Sequence, residues 1–393
     1  VRKSRPGLST KVERLSVIDI KFTMKSIRLL SCIVAALAAL AVSAAAQSRP
    51  IPRRPNIILI LANGLSASDL SCYGQTEFQT PNLDKLAAGG IRFTHYSAGA
   101  PDGSPARAAL MTGRNIATAA NDVTLTPNEI TIAQPLQASG YFTSLIGEWD
   151  LGGEGSSGAP WLKGFDEFAG YFNSDDAADA YAQSIWRYEC DPVHNELQAH
   201  NGPETVYAND GGQKIQYIPD FLTTLAMTFT KKHQQQWYTH YRPFFLVLSC
   251  PIPGNGNHEV PTDAPFSEEP WPQPEKNRAA MIARLDNNIG QLLQQLDTIG
   301  QTTNTIIFFT SDTVPKKAGG IDPKFFHENP SPDSLSVPMI VSWPGKIPAG
   351  QVSDLSCSAR DFLPTVAGIG LVMPPGKIDG VSFLPALFGR ASK

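Results

Sequence analysis

Asn56-Ile57-Ile58-Leu59-Ile60-Leu61-Ala62 is the run whose reading decides the fold class. No polar residue interrupts it after Asn56, so it suits a strand buried on both faces. Arg49 to Pro55, ahead of it, reads as a Pro/Arg-rich linker. Downstream, Thr80-Pro81-Asn82 opens a short helix with a cap and a proline at its first position, and Gly89-Gly90 closes it. Ile91-Arg92-Phe93 is extended, and Ser104-Pro105 reads as another cap, with Ala106 to Thr112 helical. Thr143-Ser144-Leu145-Ile146 is a further strand after the helical pattern that ends at Gly140. From Gly152 to Gln236 small and polar residues break any period, and the stretch reads as a surface excursion. Phe244 to Leu248 returns to a buried strand; Met281, Leu285, Ile289, Leu292, Leu296 and Ile299 lie at helical spacing, stopped by Gly300. Thr305 to Phe309 and Pro338 to Ser342 are the last strands. Helices alternating with buried strands imply a three-layer α/β/α sandwich.

The chain of 393 residues is long enough for one large α/β domain or two small ones. A net charge of −4, with no basic run interleaved with aromatics, speaks against nucleic acid or an anionic membrane as partner. Met24-Lys25-Ser26-Ile27-Arg28, the apolar Leu29 to Val42 and Ala44-Ala45-Ala46 before Gln47 form a secretory leader. Its apolar run is shorter than the ~20 residues of a spanning helix. The expected organisation is an upstream extension and leader over residues 1–46, a linker over 47–54 and one domain over 55–390. The mature protein is expected to be exported, periplasmic or extracellular, with no membrane span once the leader is removed. Cys32 falls in the leader. Cys72, Cys190, Cys250 and Cys357 show no CxxC spacing, which disfavours a zinc or redox motif and leaves buried thiols or an unassignable pairing.

Chemistry concentrates in Pro101-Asp102-Gly103-Ser104-Pro105-Ala106-Arg107-Ala108-Ala109-Leu110-Met111-Thr112-Gly113-Arg114. This stretch resembles the signature of the type I sulfatases, C-x-P-x-R followed by a helix ending near T-G-R. Further motifs follow in the family's order: Thr80-Pro81-Asn82-Leu83-Asp84, Leu145-Ile146-Gly147, Gly164-Phe165-Asp166-Glu167-Phe168, Phe309-Thr310-Ser311-Asp312, Val341-Ser342-Trp343-Pro344-Gly345-Lys346 and Asp379-Gly380-Val381. The chain is thus identified as a member of that family, within the alkaline-phosphatase-like superfamily. The resemblance implies a central mixed, mostly parallel sheet. It also implies an additional C-terminal subdomain, which is expected to be missing here; its absence would leave the cleft open or require a partner.

The resemblance further implies a formylglycine nucleophile matured from the signature cysteine, a divalent cation (Ca2+), and lysines and histidines that hold the sulfate. At each of these positions the sequence departs. Gly103 stands where the cysteine belongs, and a glycine supplies no nucleophile. The paired aspartates of the first strand's end are matched by Asn63 and Gly64, and the late Asp-Asn by Asp312 and Thr313. A cation that wants several carboxylates keeps one carboxylate, one amide and at most the Thr313 hydroxyl. Family G-K-W-H is matched by Gly147-Glu148-Trp149-Asp150, so that a lysine and a histidine become acids; Gly254 takes a further histidine's place. His258 would fill that role only with a loop insertion, and neither Lys316 nor Lys317 sits at the matching position of the sulfate-binding lysine. Arg107 and Asp312 carry over intact.

Asp102, Glu148, Asp150 and Asp312 are expected to converge with Asn63 as an acidic pocket, or to be solvated loop carboxylates. At ~4 Å and an effective dielectric near 20, each like-charge contact with an anion costs about 4 kcal/mol. The expectation is therefore a catalytically inactive member with a binding or auxiliary role toward sulfated glycans or another sulfatase. The enzymatic alternative is a weak sulfuric ester hydrolase using Asp312, Arg107 and an unorthodox nucleophile such as Ser104. Fold alone does not choose between them.

Overall fold

A computed structural model describes residues 54–116, 123–191, 196–234, 242–254, 259–315 and 335–390, side chains at 190–191 and 196–199 excepted. The leader, His258, Lys316 and Lys317 lie outside the described residues. The strands are β1 (Asn56–Asn63), β2 (Ile91–Phe93), β3 (Tyr96–Ser97), β4 (Phe142–Glu148), β5 (Glu167–Tyr171), β6 (Ser184–Asp191), β7 (Glu196–Thr205), β8 (Phe244–Pro253), β9 (Thr305–Ser311), β10 (Met339–Ser342), β11 (Gln351–Ser353) and β12 (Cys357–Ser358). The α-helices are α1 (Pro81–Ala88), α2 (Gly103–Thr112), α3 (Ala133–Ala138), α4 (Ser174–Ala177), α5 (Ile218–Lys232), α6 (Gln273–Thr298), α7 (Phe362–Gly370) and α8 (Leu384–Leu387).

The main sheet has the order β11-β2-β10-β9-β1-β8-β4-β5-β6-β7. Its middle, β9-β1-β8-β4-β5, is parallel. Antiparallel pairing through β10 on one side and β6 and β7 on the other makes the sheet mixed. β1 is central, and its side chains alternate between two cores. Ile57, Leu59 and Leu61 pack with residues of α2 and α7, while Ile58 and Ile60 pack with residues of α5 and α6. An apolar run without alternation is what a strand covered on both faces requires. The sandwich has three layers for that reason.

Three local expectations change. The segment from Gly152 to Gln236 is no surface excursion: it supplies β5, β6 and β7, which extend the sheet, and α5, which covers it. Its small and polar residues hid that role, because β6 and the edge strand β7 are partly exposed and carry a weak apolar period. Helix α1 begins at Pro81 as expected, but Thr80 makes no side-chain bond to the helix start. The cap comes from α6, where Asp286 accepts from the backbone N–H groups of Asn82 (3.1 Å) and Leu83 (2.8 Å). Ser104 is likewise not a cap. Helix α2 starts two residues earlier than that reading, at Gly103, behind Asp102.

The parallel strands all point one way, so Asn63, Glu148 and Gly254, and Asp312 just beyond β9, gather at one edge of the sheet. In open α/β sheets that carboxyl edge is where ligands bind.

Candidate functional site

β1 ends at Asn63, and Gly64 turns the chain with φ 66°, a left-handed conformation that disfavours side chains. Ser66 and Asp69 form a reciprocal capping box over the next turn. Arg278 of α6 locks this loop by donating to the Gly64 carbonyl (3.0 Å) and to Asp69 Oδ2 (2.8 Å). Opposite it, α2 presents Gly103 at its first turn. A Cβ at Gly103 would lie 3.4 Å from Asp312 Oδ2, ordinary van der Waals contact, so the glycine is not there for want of space.

One turn further, buried Arg107 ties three strand ends together. Its Nε donates to Asp312 Oδ2 at 2.9 Å, and Nη2 lies 2.7 Å from the same oxygen and 3.0 Å from Glu148 Oε2. Nη1 donates to the Glu148 carbonyl and to Ser249 Oγ, each at 2.7 Å. Glu148 Oε2 also accepts from Asn63 Nδ2 at 3.0 Å. Asp312 Oδ1 accepts from Thr313 Oγ1 at 2.9 Å and faces the Gly64 N–H at 3.4 Å. Burial, reinforced by the charges of Asp312 and Asp150 and opposed by Arg107 and the Asn63 bond, pushes the Glu148 carboxyl up to about 7. Burial works against the Arg107 charge, but Glu148, Asp312 and Asp150 together hold it above its ordinary range.

Ser104 lies inside α2 and is buried. Its hydroxyl donates to the Asp150 carbonyl at 2.8 Å and accepts from the Val123 N–H at 2.9 Å. That proton is committed to a backbone oxygen, so the residue is not poised for attack.

A cleft of about 350 Å³ opens over this network. Its wall includes Asn63, Asp102, Gly103, Glu148, Asp150, Gly254 and Thr313. Asp312 and Arg107 are not in the wall; they sit beneath it, bonded to each other. Two carboxylates that no motif signalled, Asp175 from α4 and Glu259, also face the cleft. No lysine, arginine or histidine lines it among the described residues. Asp150 has φ 59°, the left-handed region, and its amide donates to the Phe172 carbonyl at 3.1 Å. A non-glycine residue there is uncommon. Cys72, Cys250 and Cys357 are free thiols; burial pushes Cys250 up to about 12, which makes it inert.

The Sulfatase family model matches residues 55–370 of this chain. The chain belongs to the sulfatase family. Arylsulfatase G of Mus musculus is 31% identical over 378 residues, covering 86% of this chain and 70% of that protein. Arylsulfatase A of Homo sapiens is 29% identical over 373 residues, with 88% and 70% covered. Among solved structures, Ps i-CgsB in complex with k-i-k-neocarrahexaose has a TM-score of 0.68 at 26% identity, covering 86% of this chain and 77% of that one. A phosphonate monoester hydrolase of Agrobacterium radiobacter, at TM-score 0.58 and 20% identity, shares the fold. Family and architecture place the chain with the type I sulfatases of the alkaline-phosphatase-like superfamily.

The sulfatase family implies a divalent cation at Asn63, Gly64, Asp312 and Thr313. This donor set does not fit one. Gly64 has no side chain, and both Asp312 oxygens already face donors. Among the described residues no group of three or more His, Cys, Asp or Glu is arranged to hold a metal ion. Ser249 and Arg278, which brace the site, escaped the sequence reading because neither sits in a recognisable motif.

Proposed function

We propose that this member of the sulfatase family does not hydrolyse sulfate esters at its cleft and serves instead as a binding or auxiliary protein. The observation that carries the reading is the backbone at Gly103. The position aligned with the nucleophile has no side chain, and the adjacent hydroxyl of Ser104 is hydrogen-bonded twice to backbone. The charge of the cleft adds support: five acidic side chains, Asp102, Glu148, Asp150, Asp175 and Glu259, line it and would oppose an anion entering it.

The enzymatic alternative rests on the relatives, which bear sulfatase names. It needs Ser104 to leave both of its partners. The test is turnover of an aryl sulfate and an aryl phosphate by the purified protein, beside Ser104→Ala and Asp312→Ala variants. Rates at background for all three support the proposal. Turnover in the unmodified protein that disappears in Ser104→Ala overturns it.

The partner we propose is another sulfatase chain or a sulfated glycan. The acidic wall favours a partner that brings positive charge to the cleft, and leaves a polyanion to other surfaces. Retention on an immobilised sulfated polysaccharide, eluted by salt, would support the glycan; no retention would favour the protein partner. Export is part of the same reading and rests on the leader sequence. No helix among the described residues is long and apolar enough to cross a membrane. N-terminal sequencing of the mature chain, with Gln47 as the expected first residue, tests that part.

A further inference from the structure

The disagreement between the implied cation and the side chains present has a specific cause. Calcium takes six to eight oxygens, several of them carboxylate. At the four matched positions, Asp312 is the one carboxylate. Its Oδ2 accepts from Arg107 Nε at 2.9 Å and lies 2.7 Å from Nη2; its Oδ1 accepts from Thr313 and faces Gly64 N–H. What remains is the amide oxygen of Asn63 and the hydroxyl oxygen of Thr313, both neutral.

We infer that Arg107 is the resident cation of this centre: its guanidinium, held between Asp312 and Glu148, supplies the positive charge that the family draws from a divalent ion, and the folded protein takes up no such ion there. Asp312 anchors this arrangement and Glu148 adds to it. The resemblance puts a lysine at the position of Glu148, and a lysine would set a second positive charge beside Arg107. A carboxylate gives the guanidinium a second counter-ion instead, 3.0 Å from Nη2, and turns the Asn63 amide so that its NH2 points at Glu148. The Glu148 carbonyl and Ser249 Oγ take Nη1. Nε and Nη1 are thereby hydrogen-bonded and Nη2 is ion-paired with both carboxylates, the partners coming from β4, β8 and the end of β9. Arginine does not lose its proton in a protein, so the charge is permanent.

The experiment uses the full chain, dialysed against chelator and titrated with calcium, magnesium or manganese chloride while the melting temperature is followed, with metal content measured before dialysis. An ion held at a hundredfold over its Kd would raise Tm by about 4 °C in a domain of this size. The expected result is no shift and sub-stoichiometric metal. Glu148→Gln, which keeps the Arg107–Asp312 pair, should be equally indifferent. Arg107→Met should melt lower and gain a calcium response, because it exposes Asp312 and Glu148 to each other. One metal per chain, a wild-type rise of several degrees that Asp312→Asn abolishes, or an Arg107→Met protein that folds and stays indifferent to calcium overturns the inference. Should Arg107→Met not fold, metal content and the wild-type and Glu148→Gln titrations decide. Sulfate-ester turnover without metal uptake would sink the proposed function and leave this inference standing; metal uptake without turnover would do the reverse.

Discussion

Glu148 sits where desolvation and two neighbouring carboxylates oppose one guanidinium, and its proton is the measurable consequence. Its folded pKa, about 7, lies above the ordinary carboxyl value of 4.5. The folded state therefore holds the proton more tightly than the unfolded chain does. The contribution of Glu148 to stability should be fully present below the unfolded pKa and lost as pH rises through the folded one, by roughly 3 kcal/mol. Urea unfolding of wild type and Glu148→Gln between pH 4.5 and 8 isolates the contribution, and parallel curves would refute it. Two glycines give a second contrast at this scale. A Cβ at Gly103 meets only ordinary contacts at 3.4 Å or more, whereas one at Gly147 would lie 1.8 Å from the Ser249 carbonyl oxygen, at φ 112°. Gly103→Ala should stabilise by about 0.4–1 kcal/mol, and Gly147→Ala should destabilise by more than about 3 kcal/mol. Thermal melts of both variants check the pair. Equal effects would mean that the helix start is as crowded as the strand end.

Elements are joined here by single polar side chains that reach across layers. Asp286 of α6 caps α1 through two backbone N–H groups and also accepts from Asn82 Nδ2 at 2.8 Å. Helix α6 approaches α1 so closely at Gly290 that a Cβ there would lie 2.5 Å from Asn82 Oδ1. Asp286→Ala should cost about 1–2 kcal/mol, with faster amide exchange confined to the first turn of α1. Loss spread evenly over the molecule would argue against a cap. Ser104 does the same for α2, fastening it to the Asp150 carbonyl and the Val123 amide. Ser104→Ala should cost about 1–3 kcal/mol, since it leaves a buried amide and carbonyl without that partner. A stability unchanged by the substitution would return Ser104 to the list of candidate nucleophiles. The elements legible from sequence were the apolar strands β1, β4, β8, β9 and β10, the short β2, and the helices marked by spacing or punctuation, α1, α2 and α6. β6 and β7 were not, because their alternation is diluted by charge and glycine.

At the scale of the molecule, β1 serves both cores at once, so the two layers of helices share one strand. Leu59→Ala and Ile60→Ala remove side chains from opposite faces, both wholly buried. Each should cost about 2–5 kcal/mol, and because either loss weakens the same strand, one cooperative transition should shift in both. Two resolved transitions by calorimetry would show that the layers unfold separately.

The sequence by itself determined the family and the alternation of strands and helices, because these depend on residue type and order. The proposal that the centre lacks its nucleophile rests on one letter, Gly103. Tertiary structure alone decided which groups answer one another. It put Asp312 under the cleft and not in its wall, spent the Ser104 hydroxyl on backbone, and brought Asp175 and Glu259 to an acidic wall from elements with no motif. It also set Glu148 against Arg107, 41 residues apart in the chain. The reason is geometric. Parallel strands deliver their carboxyl ends to one edge whatever lies between them, so the charges that meet there are set by strand order, which no local pattern encodes.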